Sequence, residues 1–296
     1  MRLACLALLG FVAPLAADEP KKVATPHAEA VVWSLSGFEL PESACYDAAT
    51  NKIYISNVAT APDAKDGKGY LSVVALDGKP EKMKWVTGLN SPKGIRIYKG
   101  TLWVSCVDEL VAVDIAKGEV AKKVKIEGAK FLNDVAVDGT GNVYVSDMLA
   151  NKIYVYDGKE ARVLVEGEDT EWPNGVLVDG DRLLVGGWGK PEADFSTKVP
   201  GRLFAIDLKT KKKTLITPKP TGNLDGVELD GKGGYVITDW KAGKVLHVTK
   251  DGESKTILEG FQGAADHAYL ADKNLVILPR MVENTVTAYD LSKLKK

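Results

Sequence analysis

Four residues at matched positions of a sequence repeat carry oxygen atoms of the kind that hard metal ions bind. They are two carboxylates and two amides, Glu42, Asn133, Asn174 and Asp225. Ca²⁺ takes roughly six to eight oxygen ligands and commonly adds water to the protein donors, whereas zinc prefers His or Cys. Two negative charges would balance one divalent ion. These residue types predict a calcium-type site, and the alternative is that Asn and Asp at the head of a strand only cap turns.

The repeat runs six times from a small turn into a short apolar strand, and one position of that turn, called the slot here, is always polar or charged. The other two slots hold Lys93 and Asp266, and successive slots lie 51, 40, 41, 51 and 41 residues apart. A period of about 40 residues built from strands alone is typical of a β-propeller with one blade per repeat. Because equivalent positions of all blades face one axis, the six slot residues are predicted to meet there.

Three further residues near this axis are candidates for chemistry or binding. Lys93 is predicted to contact a substrate oxygen, and an ion pair with Glu42 is the alternative. His267 follows the last slot and is expected near the channel mouth, where an imidazole acts as a general base at neutral pH; a packed histidine is the alternative. Trp188 is predicted to form a wall of a substrate cleft.

The first five repeats each contain four short alternating segments, as expected for four antiparallel strands. The last repeat, 266–291, has only three. A strand-like stretch at 30–35 precedes the first slot and is predicted to supply the missing strand, which would leave no open edge between the first and last blades. The predicted fold is therefore all-β, a six-bladed β-propeller of four-stranded antiparallel blades, with the ring closed by an N-terminal strand that completes the last blade.

Two connections between the second and third strands are unusually long, at about 57–69 and 187–201. Since antiparallel strands alternate in direction, these connections lie on the face that carries the slots. Long loops on a rigid scaffold commonly determine specificity. Both loops are therefore expected to overhang the site.

The ends and the overall composition indicate an exported protein with one domain. Residues 1–17 combine an early Arg, a short apolar stretch and small residues, which predicts a secretory signal and a periplasmic or secreted location. Residues 18–29 are rich in Pro, Lys and Ala and are predicted to be a flexible leader, followed by a single domain at 30–296. The net charge of −1 argues against nucleic acid as a partner. No membrane span is predicted, and a monomer is expected.

The two cysteines that remain after the signal, Cys45 and Cys106, each lie in or at the end of an apolar strand. Buried free thiols are the favoured interpretation. An oxidising compartment would also permit a disulfide, and the sequence leaves that pairing open.

The slot segments resemble the senescence marker protein, gluconolactonase and luciferin-regenerating enzyme family of six-bladed propellers. The similarity runs over roughly 38–290 and is carried by Pro-Glu at Glu42, Asn-Asp at Asn133, Pro-Asn-Gly at Asn174 and Asp-Gly at Asp225. The resemblance implies one divalent ion, often calcium, held by residues matching Glu42, Asn174 and Asp225. It implies that Asn133 contacts substrate or metal, and that Asp225 is a base or nucleophile.

The resemblance also has departures. The family's Glu is usually followed by Gly-Pro, whereas Ser43 and Ala44 follow here, and Phe131 stands where sugar-lactone members carry Arg. The expected function is an exported, metal-dependent hydrolase of a small-molecule lactone or ester, in which Asp225 or His267 takes a proton from water. The alternative is a propeller that binds a ligand or protein without catalysis.

Overall fold

The computed structural model of the protein describes residues 25–294. Its outer strands alternate in exposure, as at Val31–Ser36, whereas inner strands such as Val143–Asp147 are buried throughout. Many strands end at Asp-Gly or Asn-containing turns. The described residues form 24 strands and, besides them, only single turns of 3-10 helix, at Ala28–Ala30, Glu168–Thr170, Met281–Glu283 and Leu291–Lys293. None of these helices is long and apolar enough to cross a membrane.

The strands fall into six antiparallel sheets of four. In chain order they are β1 Val31–Ser36, β2 Pro41–Asp47, β3 Lys52–Asn57, β4 Gly69–Ala75, β5 Pro80–Leu89, β6 Ile95–Tyr98, β7 Thr101–Cys106, β8 Glu109–Asp114, β9 Glu119–Lys125, β10 Leu132–Val137, β11 Val143–Asp147, β12 Lys152–Tyr156, β13 Ala161–Glu166, β14 Pro173–Asp179, β15 Arg182–Gly187, β16 Leu203–Asp207, β17 Lys213–Leu215, β18 Leu224–Leu229, β19 Tyr235–Asp239, β20 Lys244–Val248, β21 Ser254–Glu259, β22 Ala268–Leu270, β23 Leu275–Arg280 and β24 Thr285–Asp290.

The six sheets are the blades of a β-propeller, which confirms the predicted fold. Blades 1 to 5 are made of consecutive strands, from β2–β5 to β18–β21. Blade 6 has the order β1-β24-β23-β22, so the N-terminal strand is its outer strand, as predicted. Apolar clusters lie between neighbouring blades; one joins Ile53 and Ile55 of blade 1 to Ile277 and Val286 of blade 6. The core is therefore a ring of such layers around the axis.

The first strand of each blade, the innermost one, begins within two residues of the slot. Glu42, Asn133, Asn174 and Asp225 are each the second residue of such a strand. The predicted signal at 1–17 lies outside the described residues, and so does most of the predicted leader. Of that leader, His27 lies against blade 5, with Nε2 3.0 Å from the amide nitrogen of Glu259.

The two cysteines are free and buried, so no disulfide joins them. Burial raises the pKa of Cys45 to about 11 and that of Cys106 to about 12. Both thiols therefore stay protonated at neutral pH and pack as small apolar groups, as the sequence favoured.

An ion pair crosses the channel. Arg96 lies on β6 in blade 2, and its Nη1 donates to Glu228 Oε1 on β18 in blade 5 at 2.8 Å. Blades 2 and 5 are opposite each other in a ring of six, and both residues lie three positions past a slot. The two side chains are about four-fifths buried, at 18% and 17% exposure. The pair thus joins opposite blades below the slot layer.

Replacing one partner of this pair is expected to destabilise the protein. Glu228→Ala leaves the Arg96 guanidinium largely buried without its carboxylate, which should lower the free energy of unfolding by about 2–4 kcal/mol. The double variant Arg96→Met/Glu228→Leu should recover most of this loss, because two apolar side chains need no pairing. Urea unfolding of the three proteins measures both effects. A double variant as unstable as Glu228→Ala would contradict this account.

Candidate functional site

Four slot residues are aimed at the axis by a β-bulge at the start of their strand. The pairing of first and second strands shifts register between Pro41 and Ala44 in blade 1, and the same shift occurs around Asn133, Asn174 and Asp225. A bulge opposes two residues to one and re-aims the side chain it carries. The bulges lie at the four predicted metal ligands, and blade 2 shows none in its first strand pair.

Hydroxyl groups on the second strands hold three of these bulges. The amide of the residue after the slot donates to Ser56 Oγ in blade 1 at 2.9 Å, to Ser146 Oγ in blade 3 at 2.9 Å and to Thr238 Oγ1 in blade 5 at 2.7 Å. Ser146 Oγ also donates to the carbonyl of Asn174 in the next blade at 2.5 Å. The backbone at the slots is therefore fixed within and between blades.

Neighbouring blades approach closely beside the slots. The residue after Asn174 is Gly175, and a Cβ at that position would lie 1.5 Å from the carbonyl oxygen of Asp225. Asp134 follows Asn133, and its Oδ2 accepts the amide of Val176 from the next blade at 2.7 Å. The position after the slot thus serves blade-to-blade packing in these blades.

Five of the six slot side chains form the floor of a cavity of about 170 Å³ on one face of the ring, and the sixth, Asp266, is not among the lining residues. Both long connections contribute to its wall, as predicted: Pro62 comes from blade 1, and Trp188, Asp194 and Phe195 come from blade 4. The remaining lining residues are Glu42, Lys93, Phe131, Asn133, Met148, Asn174, Asp225, Trp240, Lys241 and Met281.

Oxygen atoms of the four predicted ligands are buried without a hydrogen bond. Glu42 Oε2, Asn133 Oδ1, Asn174 Oδ1 and Asp225 Oδ1 have no partner among the described residues. Buried polar atoms are normally satisfied, so such atoms need an explanation. Four acceptors with no donor at one end of a channel fit a cation with oxygen ligands, such as Ca²⁺. The donor set suits this ion and lacks the His or Cys that zinc prefers.

The surroundings of Glu42 and Asp225 disfavour the ionised form of their carboxyl groups. Burial raises the pKa of Glu42 well above its usual range, and the charges of Asp225 and Asp266 add to this rise, while Lys93 opposes it. Burial and the charge of Asp134 raise the pKa of Asp225. A cation between the two carboxylates would favour their ionised forms. Within residues 25–294 no three His, Cys, Asp or Glu side chains group as metal ligands, so the site depends on the two amides.

Lys93 also lines the cavity but does not pair with Glu42. Its Nζ donates to the carbonyl of Ser91 at 3.2 Å and lies 4.5 Å from the ring centroid of Phe131. Burial lowers the pKa of Lys93 to about 8, although the charge of Glu42 works in the opposite direction. The ammonium therefore lies beside the Phe131 ring and lines the cavity.

His267 is not at the channel mouth, and this expectation was wrong. The ring is completely buried, and the cavity lining does not include it. A Cβ on Gly226 of the preceding blade would lie 2.6 Å from His267 Nδ1. The cause is strand alternation, because the residue after a slot points away from the direction that the slot side chain takes. Burial and the charge of Arg96 lower the pKa of His267 to about 3, so the ring is neutral.

Part of the cavity wall escaped the sequence reasoning. Met148, Trp240 and Met281 lie fifteen residues after a slot, and Trp188 lies fourteen after one. All four come at or just past the end of a second strand and line the cavity. The signal that identifies them is a large apolar residue fourteen or fifteen positions after the slot in four repeats. Of the four, only Trp188 was predicted from the sequence to line the cleft.

Comparisons with known proteins agree with this architecture. A family model described as SMP-30/Gluconolactonase/LRE-like region matches residues 40–259. A gluconolactonase from Xanthomonas campestris superposes with a TM-score of 0.67 at 15% identity, over 94% of this chain and 98% of that one.

Two structures of virginiamycin B lyase from Staphylococcus aureus are also similar. A catalytically inactive form with quinupristin gives a TM-score of 0.58 at 10% identity, and a selenomethionine form gives 0.59 at 12%; each match covers 87% of this chain and 98% of the other. At such identities the similarity to solved structures shows the fold alone. A search of curated proteins found no significant match.

Proposed function

The chain belongs to the SMP-30/gluconolactonase/LRE-like family, and from this premise we propose that it is a hydrolase that opens a lactone or ester with the help of a divalent cation. Calcium is the cation that the oxygen donors favour. One structure similar to this chain, the Xanthomonas gluconolactonase, carries a reaction of this class in its name. Export to the periplasm or medium and a monomeric state remain predictions from the sequence.

One observation carries the proposal. Glu42, Asn133, Asn174 and Asp225 come from four different blades, and each turns a buried oxygen without a hydrogen-bond partner into the same cavity. These four residues would hold the cation. When bound, it would supply Lewis-acid polarisation of a carbonyl oxygen. Turn capping, the alternative for one such residue, does not explain acceptors whose side chains bond to no backbone amide.

The side chains of the chain then account for binding and proton transfer. The aromatic wall excludes water from one side of the substrate and orients its carbonyl toward the floor. Hydrolysis forms a bond between the water oxygen and the acyl carbon and breaks the bond from that carbon to the alkoxy oxygen. We assign the proton released by water to Asp225 Oδ2, from which it passes to the departing alkoxide. The second proton leaves when the new carboxylic acid ionises.

Asp225 is chosen over His267 as the proton acceptor. Asp225 lines the cavity, and His267 does not. A histidine whose pKa is lowered to about 3 is also a weak base at neutral pH. The role of His267 is therefore packing between blades 5 and 6.

A substrate panel with and without metal tests the function. Purified protein is assayed on a lactone, an aryl ester and a phosphotriester, first in calcium, then after chelation, then after calcium is restored. We expect turnover of a lactone or ester that chelation removes and calcium restores. Asp225→Asn should lower kcat by at least about a thousandfold, since it removes both a negative charge from the cation site and the proton acceptor. Asp181→Asn, an exposed carboxylate, is the control. Folded protein that turns over nothing would leave a binding propeller as the better account.

A further inference from the structure

Above its floor, the cavity is lined mainly by aromatic and other apolar side chains. Trp188 and Trp240 pack with ring centroids 6.0 Å apart, and Phe131 and Phe195 pack with centroids 5.8 Å apart. Met148 completes this cluster. A substrate with several hydroxyl groups would lose water there and find aromatic faces in place of hydrogen-bond partners. The wall therefore favours an apolar body.

The charged groups at the rim form hydrogen bonds to residues of the long connection in blade 4. Asp194 Oδ1 accepts the amide and the hydroxyl of Ser196 at 3.0 and 2.6 Å. Lys241 Nζ donates to the carbonyl of Asp194 at 3.2 Å. The hydrogen bonds of both side chains therefore stabilise the loop of blade 4.

Lys93 differs from Lys241 in its burial, because Lys241 is exposed to solvent and Lys93 is not. An ammonium has three donors, and a single hydrogen bond, to Ser91, uses one of them. The side chain is 2% exposed, and no carboxylate within 25–294 forms an ion pair with it. A buried cation without an anion is costly, so an anionic or strongly polarised oxygen in the cavity would be bound tightly. Ester hydrolysis produces such an oxygen when the carbonyl becomes a carboxylate.

We propose that Lys93 binds the acyl oxygen of the substrate and the carboxylate of the product, and that the substrate is a lactone or ester whose other atoms are apolar. This inference rests on the proposed function and narrows its substrate class. Phe131 has a double role, because its ring both supports the Lys93 ammonium and faces the substrate body. A sugar lactone is excluded by the same wall that accepts an aromatic or aliphatic ring.

Two measurements test the proposal on the full-length folded protein in calcium. The first compares kcat/KM for dihydrocoumarin, an aromatic lactone, with that for glucono-δ-lactone, a polyhydroxylated one. We expect a preference of about a hundredfold or more for dihydrocoumarin, because the aromatic wall offers no hydrogen-bond partners for the sugar hydroxyls. Equal turnover, or preference for the sugar lactone, would overturn the substrate class and leave the hydrolase function intact.

The second measurement is calorimetric and needs no turnover. It compares binding of 3-(2-hydroxyphenyl)propanoate, the product of the aromatic lactone, with binding of the corresponding amide. Lys93→Met should weaken binding of the carboxylate by about 10- to 100-fold and change binding of the amide much less, since a charge-assisted hydrogen bond is lost. Lys93→Arg keeps the charge and should retain most of the discrimination. Lys209→Met, the same change at an exposed lysine outside the cavity lining, should leave both affinities unchanged.

The outcomes separate this inference from the function on which it rests. If wild type binds the carboxylate no more tightly than the amide, or if Lys93→Met leaves their ratio unchanged, the assignment of Lys93 is wrong even when lactones are hydrolysed. If the discrimination depends on Lys93 but no ester is turned over, the hydrolase is wrong and the carboxylate site stands. A purely structural role for Lys93 would lower the melting temperature without altering the ratio.

Discussion

The double variant Glu42→Gln/Asp225→Asn is expected to lose calcium binding while its metal-free form unfolds at the same temperature as wild type or higher. The first effect follows because the variant replaces both negative ligands by neutral amides of the same shape. Affinity for Ca²⁺ depends on the number of charged ligands, so the dissociation constant should rise by more than about a hundredfold. Titration calorimetry on chelator-treated protein measures this change.

The second effect follows from the surroundings of the two carboxyl groups. Burial raises the pKa of both, and the charge of Asp225 raises that of Glu42 further, so their ionised forms are disfavoured without a counter-ion. Neutral amides remove that cost. Loss of attraction between Glu42 and Lys93 acts against the gain, but it is a smaller contribution than burial. Wild type should instead gain stability on adding calcium, and the variant should not.

The melting temperature separates the two explanations for lost calcium binding. A variant that merely misfolded would melt below wild type in its metal-free form. Asp181→Asn, in an exposed turn, should bind calcium as wild type does and controls for loss of one carboxylate. Calcium binding retained by the double variant would overturn the assignment of the metal site. A metal-free variant that melts well below wild type would contradict the claim that the two carboxylates are destabilising without an ion.

Removing the contact between β1 and blade 1 should lower the stability of the protein substantially. Trp33 lies on β1 in blade 6, yet its Nε1 donates to the carbonyl of Leu76 in blade 1 at 2.9 Å. Its ring also covers Gly78, where an added Cβ would lie 2.5 Å from Trp33 Cγ. Trp33 therefore ties the outer strands of the last and first blades together. Trp33→Ala should lower the melting temperature by about 4–8 °C, from a loss of about 2–4 kcal/mol.

Deleting residues 18–36 should be more severe, because it removes the whole outer strand and exposes β24 as an open edge. The deletion is expected to lower the melting temperature further or to prevent folding. Val32→Thr is the matched control: Val32 lies on the same strand with its side chain 49% exposed and should change stability by less than about 0.5 kcal/mol. Calorimetric scans of the three proteins decide the matter. An unchanged transition in the deletion would show that β1 does not close the ring.

The sequence was sufficient for the fold and for the position of the slots, because both depend on patterns with a fixed period. Alternating strands and a repeat of about 40 residues determine the blades, and the missing strand of blade 6 points to β1 as its replacement. The slot residues meet in space for the same reason. Glu42 and Asp225 are far apart in the chain but occupy equivalent positions around one axis.

The remaining features depend on local geometry that a single sequence does not specify. The bulges at Asn133 and Asn174 require a hydroxyl from a strand further along the chain or a close contact between blades. The residue type in the slot does not predict a bulge. His267 was placed incorrectly because adjacency to a slot was taken as adjacency to the channel. The contact of Lys93 with Phe131 depends on side-chain directions in two blades, which spacing alone cannot supply.

The composite nature of blade 6 also has a consequence for the order in which the protein can be assembled. Ser34 Oγ on β1 lies 2.9 Å from Thr287 Oγ1 on β24, a contact between residues 253 positions apart. During synthesis, blades 1 to 5 can each complete their own sheet from consecutive strands, but β1 has no partner until β24 has emerged. Closing so long a loop is slow relative to local strand pairing. Ring closure should therefore be the last step of folding, and until then β1 remains an unpaired edge that a chaperone or a second chain can bind.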